Sequence, residues 1–121
     1  MSTRGEVHVR RIHEDVDVGG ARVLVDRLWP RGVSKVAADL TRWPKEVAPS
    51  DELRRWYDHD PDRFDEFADR YRGELEDDEH VEALDEVVAL VRQGGAVLLT
   101  ATKDVDHSHA VVLAEVVRER V

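Results

Sequence analysis

The arrangement of apolar runs predicts a small single-domain α/β sandwich, a mostly parallel short sheet with an N-terminal strand and about four to five helices packed on it. Two short segments, Val23 to Leu28 and Ala96 to Ala101, open on unbroken apolar runs of the kind found in strands covered on both faces. Between them lie segments with helical spacing, which suits a crossover joining parallel strands. The 121 residues are enough for one modest core, so residues 1–121 read as a single domain.

Taken in order, Glu6 to Ile12 alternates apolar and polar residues and reads as a half-buried strand. The acidic stretch His13 to Asp17 and the pair Gly19-Gly20 read as a turn, which predicts a hairpin to the next strand. That strand, from about residue 22 to 28, is expected at the centre of the sheet and to stop at Trp29-Pro30, since proline donates nothing to a ladder. Ser34 to Leu40 fits a short helix, and Leu40 to Ala48 an irregular piece broken at Pro44. Ser50 is a good N-cap for a helix carrying Leu53, Trp56 and Tyr57 on one face. Asp60-Pro61 starts another, with Phe64, Phe67, Ala68, Tyr71 and Leu75 as its stripe. A third runs from about Glu79 to Gln93, burying Val81, Leu84, Val87, Val88 and Val91 before Gly94. The strand 96–101 follows, and a last helix from Ser108 presents Ala110, Leu113, Ala114 and Val117.

Composition narrows the function. No cysteine is present, which removes disulfides, thiolate metal sites and cysteine nucleophiles together. The 27 acidic residues outnumber 18 basic ones for a net charge of -9, which opposes sequence-independent binding to a phosphate backbone, so nucleic acid is not an expected partner. No apolar run approaches the roughly 20 residues that span a bilayer, and no secretory signal pattern opens the chain, so a cytoplasmic protein without a membrane partner is expected. P-loop, GxGxxG, GxSxG and HExxH patterns are all absent, and no cofactor is implied.

Two connections carry more reactive side chains than a connection needs: Asp26-Arg27-Leu28-Trp29-Pro30-Arg31-Gly32 and Thr102 to His109. Both follow apolar strands, and in open α/β sheets ligands sit beyond the carboxyl ends of the strands. Arg27 and Arg31 offer planar donor forks for phosphate or carboxylate, with Trp29 and Gly32 shaping the turn. Alternatively Asp26 and Arg27 form a structural ion pair while Trp29 plugs the core. In the second loop Lys103, Asp104 and Ser108 precede a helix whose free N–H groups suit an anion; the plainer alternative is that Ser108 caps that helix. Asp26 and His107 are the proton-transfer candidates. Asp104, Asp106, His107 and His109 alternate like metal ligands, but Lys103 would repel a cation and no metal is assigned. His8, His13 and His80 read as exposed or satisfied histidines, and His59 as a helix-boundary residue.

On Val23 to Gly32 with Ser34-Lys35, Ala48-Pro49-Ser50 with Glu52-Leu53-Arg54, His59-Asp60-Pro61, and Lys103-Asp104 with His107 and Ala110 to Leu113, the chain resembles the YeaO-like family, gathered as domain of unknown function 488. The resemblance covers almost the whole chain and implies a small α/β fold with no established activity. Family members usually carry asparagine or a similar residue where this chain has Ser108 and His109, which weakens a role for His109. The leading expectation is a domain that binds, or acts on, a small anionic ligand between the two loops at the ends of strands 22–28 and 96–101. The rival is a non-catalytic protein-interaction module, contacting an unknown protein partner through the regions of Trp29 and Trp56, with a purely structural ionic cluster.

Overall fold

A computed structural model describes residues 5–14 and 18–121 of the chain. Its most apolar stretch takes the most covered position: β3 (Ala96–Thr100) lies at the centre of a three-stranded sheet, and all five of its residues are buried. β1 (Val7–Arg11) and β2 (Ala21–Leu24) run parallel to it on either side, pairing Val7 and Ala21 with Ala96 and ending at Arg11↔Thr100 and Leu24↔Leu99.

This order corrects two expectations. β1 and β2 form no hairpin, because β3, the strand with no polar face, separates them; of the expected turn, residues 15–17 lie outside the described residues. Gly20 serves the β3 contact instead: at φ +107° it lies so close that a Cβ there would meet the Gly95 carbonyl at 2.8 Å. β2 is a flanking strand, not the central one. It is still covered on both faces, and its outer edge is closed by residues 41 and 42, whose amides bond the Arg22 carbonyl while Leu24 N–H donates to Arg42 O. It also ends at Leu24, earlier than expected, because Asp26 leaves the ladder to bond the end of β3.

Side chains of the strands alternate between two cores. Val7, Val23, Val25, Ala96 and Leu98 face a large core completed by α2 (Asp51–Tyr57), α3 (Phe64–Glu74), α4 (Asp78–Gly94) and α5 (His109–Arg120). Leu24, Val97 and Leu99 face a smaller one, closed by α1 (Lys35–Ala38) and by Trp29 and Trp43, which meet edge to face at 5.3 Å. The expected apolar stripes are largely those observed: Phe67, Tyr71 and Leu75 are buried, as are Leu84, Val87, Val88 and Val91, and Ala110, Leu113, Ala114 and Val117. Ser34 and Ser50 accept from Ala37 and Leu53 N–H as N-caps. Pro61 begins a 3-10 turn (Pro61–Arg63) that leads into α3. Among the described residues no helix is long and apolar enough to cross a membrane.

Candidate functional site

Because β2 and β3 are parallel neighbours, the segments leaving their carboxyl ends emerge side by side, and a hollow of about 320 Å³ opens between them. Asp26, Arg27, Leu28, Trp29, Pro30 and Arg31 line it from the first loop, and Ala101, Thr102, His107, Ser108 and His109 from the second. Gly32 lies beyond its edge, at φ +75°. Lys103 and Asp104 are exposed and do not line it; Asp104 instead holds His107 Nδ1 at 2.8 Å.

Asp26 ties the two loops together. Its Oδ1 accepts from Thr100 Oγ1 at 2.7 Å and its Oδ2 from Ala101 N–H at 2.8 Å, with His109 Nε2 at 3.4 Å from Oδ1. No ion pair joins it to Arg27 among the described residues. Arg27 turns the other way, its Nη2 donating to Ala48 O at 3.2 Å. The structural pairing weighed from sequence is therefore not formed, since the carboxylate has stronger partners at the end of β3. Trp29 both lines the hollow and anchors it, because Nε1 donates to Val33 O at 2.7 Å.

The second loop sorts its polar groups in opposite directions. Ser108 Oγ donates back to Val105 O at 2.6 Å, so it makes no side-chain cap, and α5 starts at the hollow with no acidic residue in its first turn. His109 turns inward, its Nε2–H donating to Val25 O at 3.0 Å, while the His107 ring is partly exposed and meets Phe64 edge-on. Burial holds the His109 imidazole below its ordinary range, with Asp26 and the hydrogen bond to Val25 opposing it and the positive charge of Arg54 acting the same way.

A third wall comes from residues 48–59, which sequence reasoning did not place here: Ala48, Pro49, Arg54, Tyr57 and His59. Tyr57 OH donates to the His107 carbonyl at 2.6 Å, joining α2 to the second loop, and burial raises this phenol above its usual range. Arg54 pairs through Nη2 with Asp51 Oδ1. For both Arg27 and Arg54, however, the Nε–H is buried without a hydrogen-bond partner among the described residues. The signal available in the sequence was Arg54 and His59 flanking the buried Tyr57, but their arrival at this hollow depends on where the crossover lies.

The hollow is thus faced by three arginines and three histidines against one carboxylate, in a chain of net charge -9. A sequence profile described as the inactive DUF488-N3 subclade matches residues 6–121. Two relatives, the uncharacterized proteins Rv3073c of Mycobacterium tuberculosis and Mb3100c of Mycobacterium bovis, are 49% identical over 121 residues, which is 99% of this chain and 100% of each of theirs. The uncharacterized protein YeaO of Escherichia coli is 32% identical over 113 residues, 93% of this chain and 96% of its own. No solved structure matches.

Proposed function

We infer that this chain, which belongs to the inactive DUF488-N3 subclade, holds a small anionic ligand in the hollow between its β2 and β3 loops and binds it without turning it over. One observation carries the reading: three arginines and three histidines face one hollow against a single carboxylate, and two of those arginines, Arg27 and Arg54, keep an Nε–H that no protein acceptor holds among the described residues. An oxyanion among these guanidinium groups gains charge-assisted hydrogen bonds, each worth about 1.5–3 kcal/mol. Binding without turnover is supported by the description of the subclade and by Asp26, both of whose oxygens are engaged by Thr100 and Ala101. In this reading Asp26 braces the two loops, Arg27, Arg31 and Arg54 supply the charge, and α5 presents its N-terminal amides. His107, Ser108 and Trp29 complete the wall, and Lys103 with Asp104 sets the field outside it. The rival reading as a protein-interaction module has less to stand on. Trp29 is tied to Val33, and Trp56 is covered by the guanidinium groups of Arg63 and Arg70 at 5.3 and 4.4 Å.

The test is a thermal-shift panel of phosphate and small carboxylates. A ligand at a hundred times its Kd adds about 2.7 kcal/mol, which raises Tm by roughly 10 °C in a domain of this size. The rise should vanish in the double variant Arg27→Gln with Arg54→Gln. A panel without any shift, or a shift that survives the double variant, refutes the site.

A further inference from the structure

Between α2 and the 3-10 turn Pro61–Arg63 the chain reverses through Asp58 at φ 48°, ψ 39° and His59 at φ 53°, closed by Asp60 N–H donating to Tyr57 O at 3.0 Å. Two successive positive-φ residues are what a type I′ turn requires, and Asn-Gly is the pair that adopts it most readily. This chain places aspartate and histidine there. A side chain in the left-handed region is uncommon, but aspartate and histidine enter it more readily than most residues, so the turn accepts this histidine and leaves its side chain available for a use elsewhere.

The imidazole supplies that use. Unlike His80, His107 and His109, each of which has at least one ring nitrogen engaged by a protein acceptor, the His59 ring makes no hydrogen bond or ion pair among the described residues. It lines the hollow and also the adjoining cleft, which Arg27, Arg54 and Arg55 wall together with Asp51 and Asp58. Its exposed, uncommitted ring therefore shares one cleft with the two arginines whose Nε–H groups lack acceptors.

Resting on the anion-binding reading above, we propose that His59 is a specificity-determining residue of that site, donating a ring N–H to a third oxygen of a phosphoryl group whose other oxygens are held by Arg27 and Arg54. A carboxylate has two oxygens in one plane, whereas donors arriving from the β2 loop, from α2 and from the turn after α2 match an oxyanion with three. The phosphoryl group can be free phosphate or the end of a small monoester.

The experiment is calorimetric titration of inorganic phosphate, glycerol phosphate and acetate into the wild type, His59→Gly and Asp39→Gly, with a urea melt of each free protein. Asp39 is the control: it holds φ 46° after α1, away from the hollow. Both glycine variants should raise the urea midpoint, because glycine adopts positive φ without steric penalty. His59→Gly should bind phosphate or glycerol phosphate about tenfold more weakly, the loss of one charge-assisted hydrogen bond, while Asp39→Gly binds like the wild type. Whichever of the two phosphoryl probes binds tighter identifies the source, and acetate should bind more weakly and ignore His59→Gly. Phosphoryl binding by His59→Gly within about twofold of the wild type overturns this proposal alone, a difference below the scale of one such bond. Equal loss of acetate in that variant does the same, whereas a wild type that takes up none of the three overturns the hollow itself.

Discussion

Replacing Asp26 by alanine removes the strut between the two loops, and its size can be worked from its two contacts. The carboxylate accepts one hydroxyl bond at 2.7 Å and one backbone bond at 2.8 Å, and its side chain is 16% exposed. Hydrogen bonds to a charged group contribute about 1.5–3 kcal/mol each, and the residual exposure argues for the low end, so the pair amounts to about 3 kcal/mol. Against a domain stability of about 5–15 kcal/mol the variant stays folded. At a urea dependence of about 1.5 kcal/mol per molar, its midpoint should fall by about 2 M with an unchanged slope. Asp26→Asn is the informative companion. Its amide oxygen can still accept from Ala101 N–H, and its amide nitrogen can donate to Thr100 Oγ1 once that hydroxyl rotates, so the loss should shrink to about 1 kcal/mol. Asp26→Ala within about 0.5 kcal/mol of the wild type, the range of an inert surface change, would refute the strut.

Gly20→Ala forces a Cβ to 2.8 Å from the Gly95 carbonyl at a backbone φ of +107°. Calorimetric Tm should fall by an amount equivalent to at least about 1–3 kcal/mol, and an unchanged Tm contradicts the close β2 to β3 approach. His109 sets a pH dependence of stability. Its folded-state pKa lies below 6.5, so at higher pH both states are neutral and its contribution is fully present. As pH falls below 6.5 the unfolded chain takes up a proton that the folded chain refuses, and stability is lost until the folded pKa is passed. Urea midpoints measured downward from about pH 7 should therefore drop less steeply in His109→Gln than in the wild type, and parallel curves rule the assignment out.

The parts of the fold that depend on local pattern were legible. Ala96 to Thr100 has no polar face, so it had to be buried on both sides, and the stripe of Phe67, Tyr71 and Leu75 could only be a helix face. Pairing was not legible in the same way. The glycines after Asp17 resemble turn residues, yet Gly20 answers to the backbone of Gly95, far away in sequence. The site divides along the same line. Asp26 to Arg31 and His107 to His109 were recognisable because they follow apolar strands, and parallel pairing brings such ends together. Lys103 belongs to the same loop but is exposed and outside the hollow, a placement no spacing encodes. Arg54 and Tyr57 were hidden because Leu53, Trp56 and Tyr57 share the stripe that marks a core helix. One of these core residues, Tyr57, also reaches His107, and that contact exists only once the crossover is laid over the sheet.

The wall missing from the sequence reading is also the one the large core holds most firmly. Tyr71 OH donates to Val47 O at 2.6 Å, His80 Nε2 to Ala48 O at 3.0 Å, and Ser50 donates from its N–H and hydroxyl to Glu74 at 2.9 and 2.6 Å. His80 is itself held, with Asp77 Oδ1 at 2.7 Å from its other nitrogen. Side chains of α3 and α4 thus pin residues 47 to 50, and the Ala48 carbonyl they position is the same one that receives Arg27 Nη2. Arg27 is consequently fixed by one end of its guanidinium while its Nε–H stays free of protein acceptors among the described residues. A group that must order itself on binding loses affinity in doing so, whereas one already held by packing does not. The arginine at the hollow is accordingly pre-set by a histidine and a tyrosine that make no hydrogen bond to it among the described residues, and the core of the domain and its candidate binding surface are one hydrogen-bonded structure.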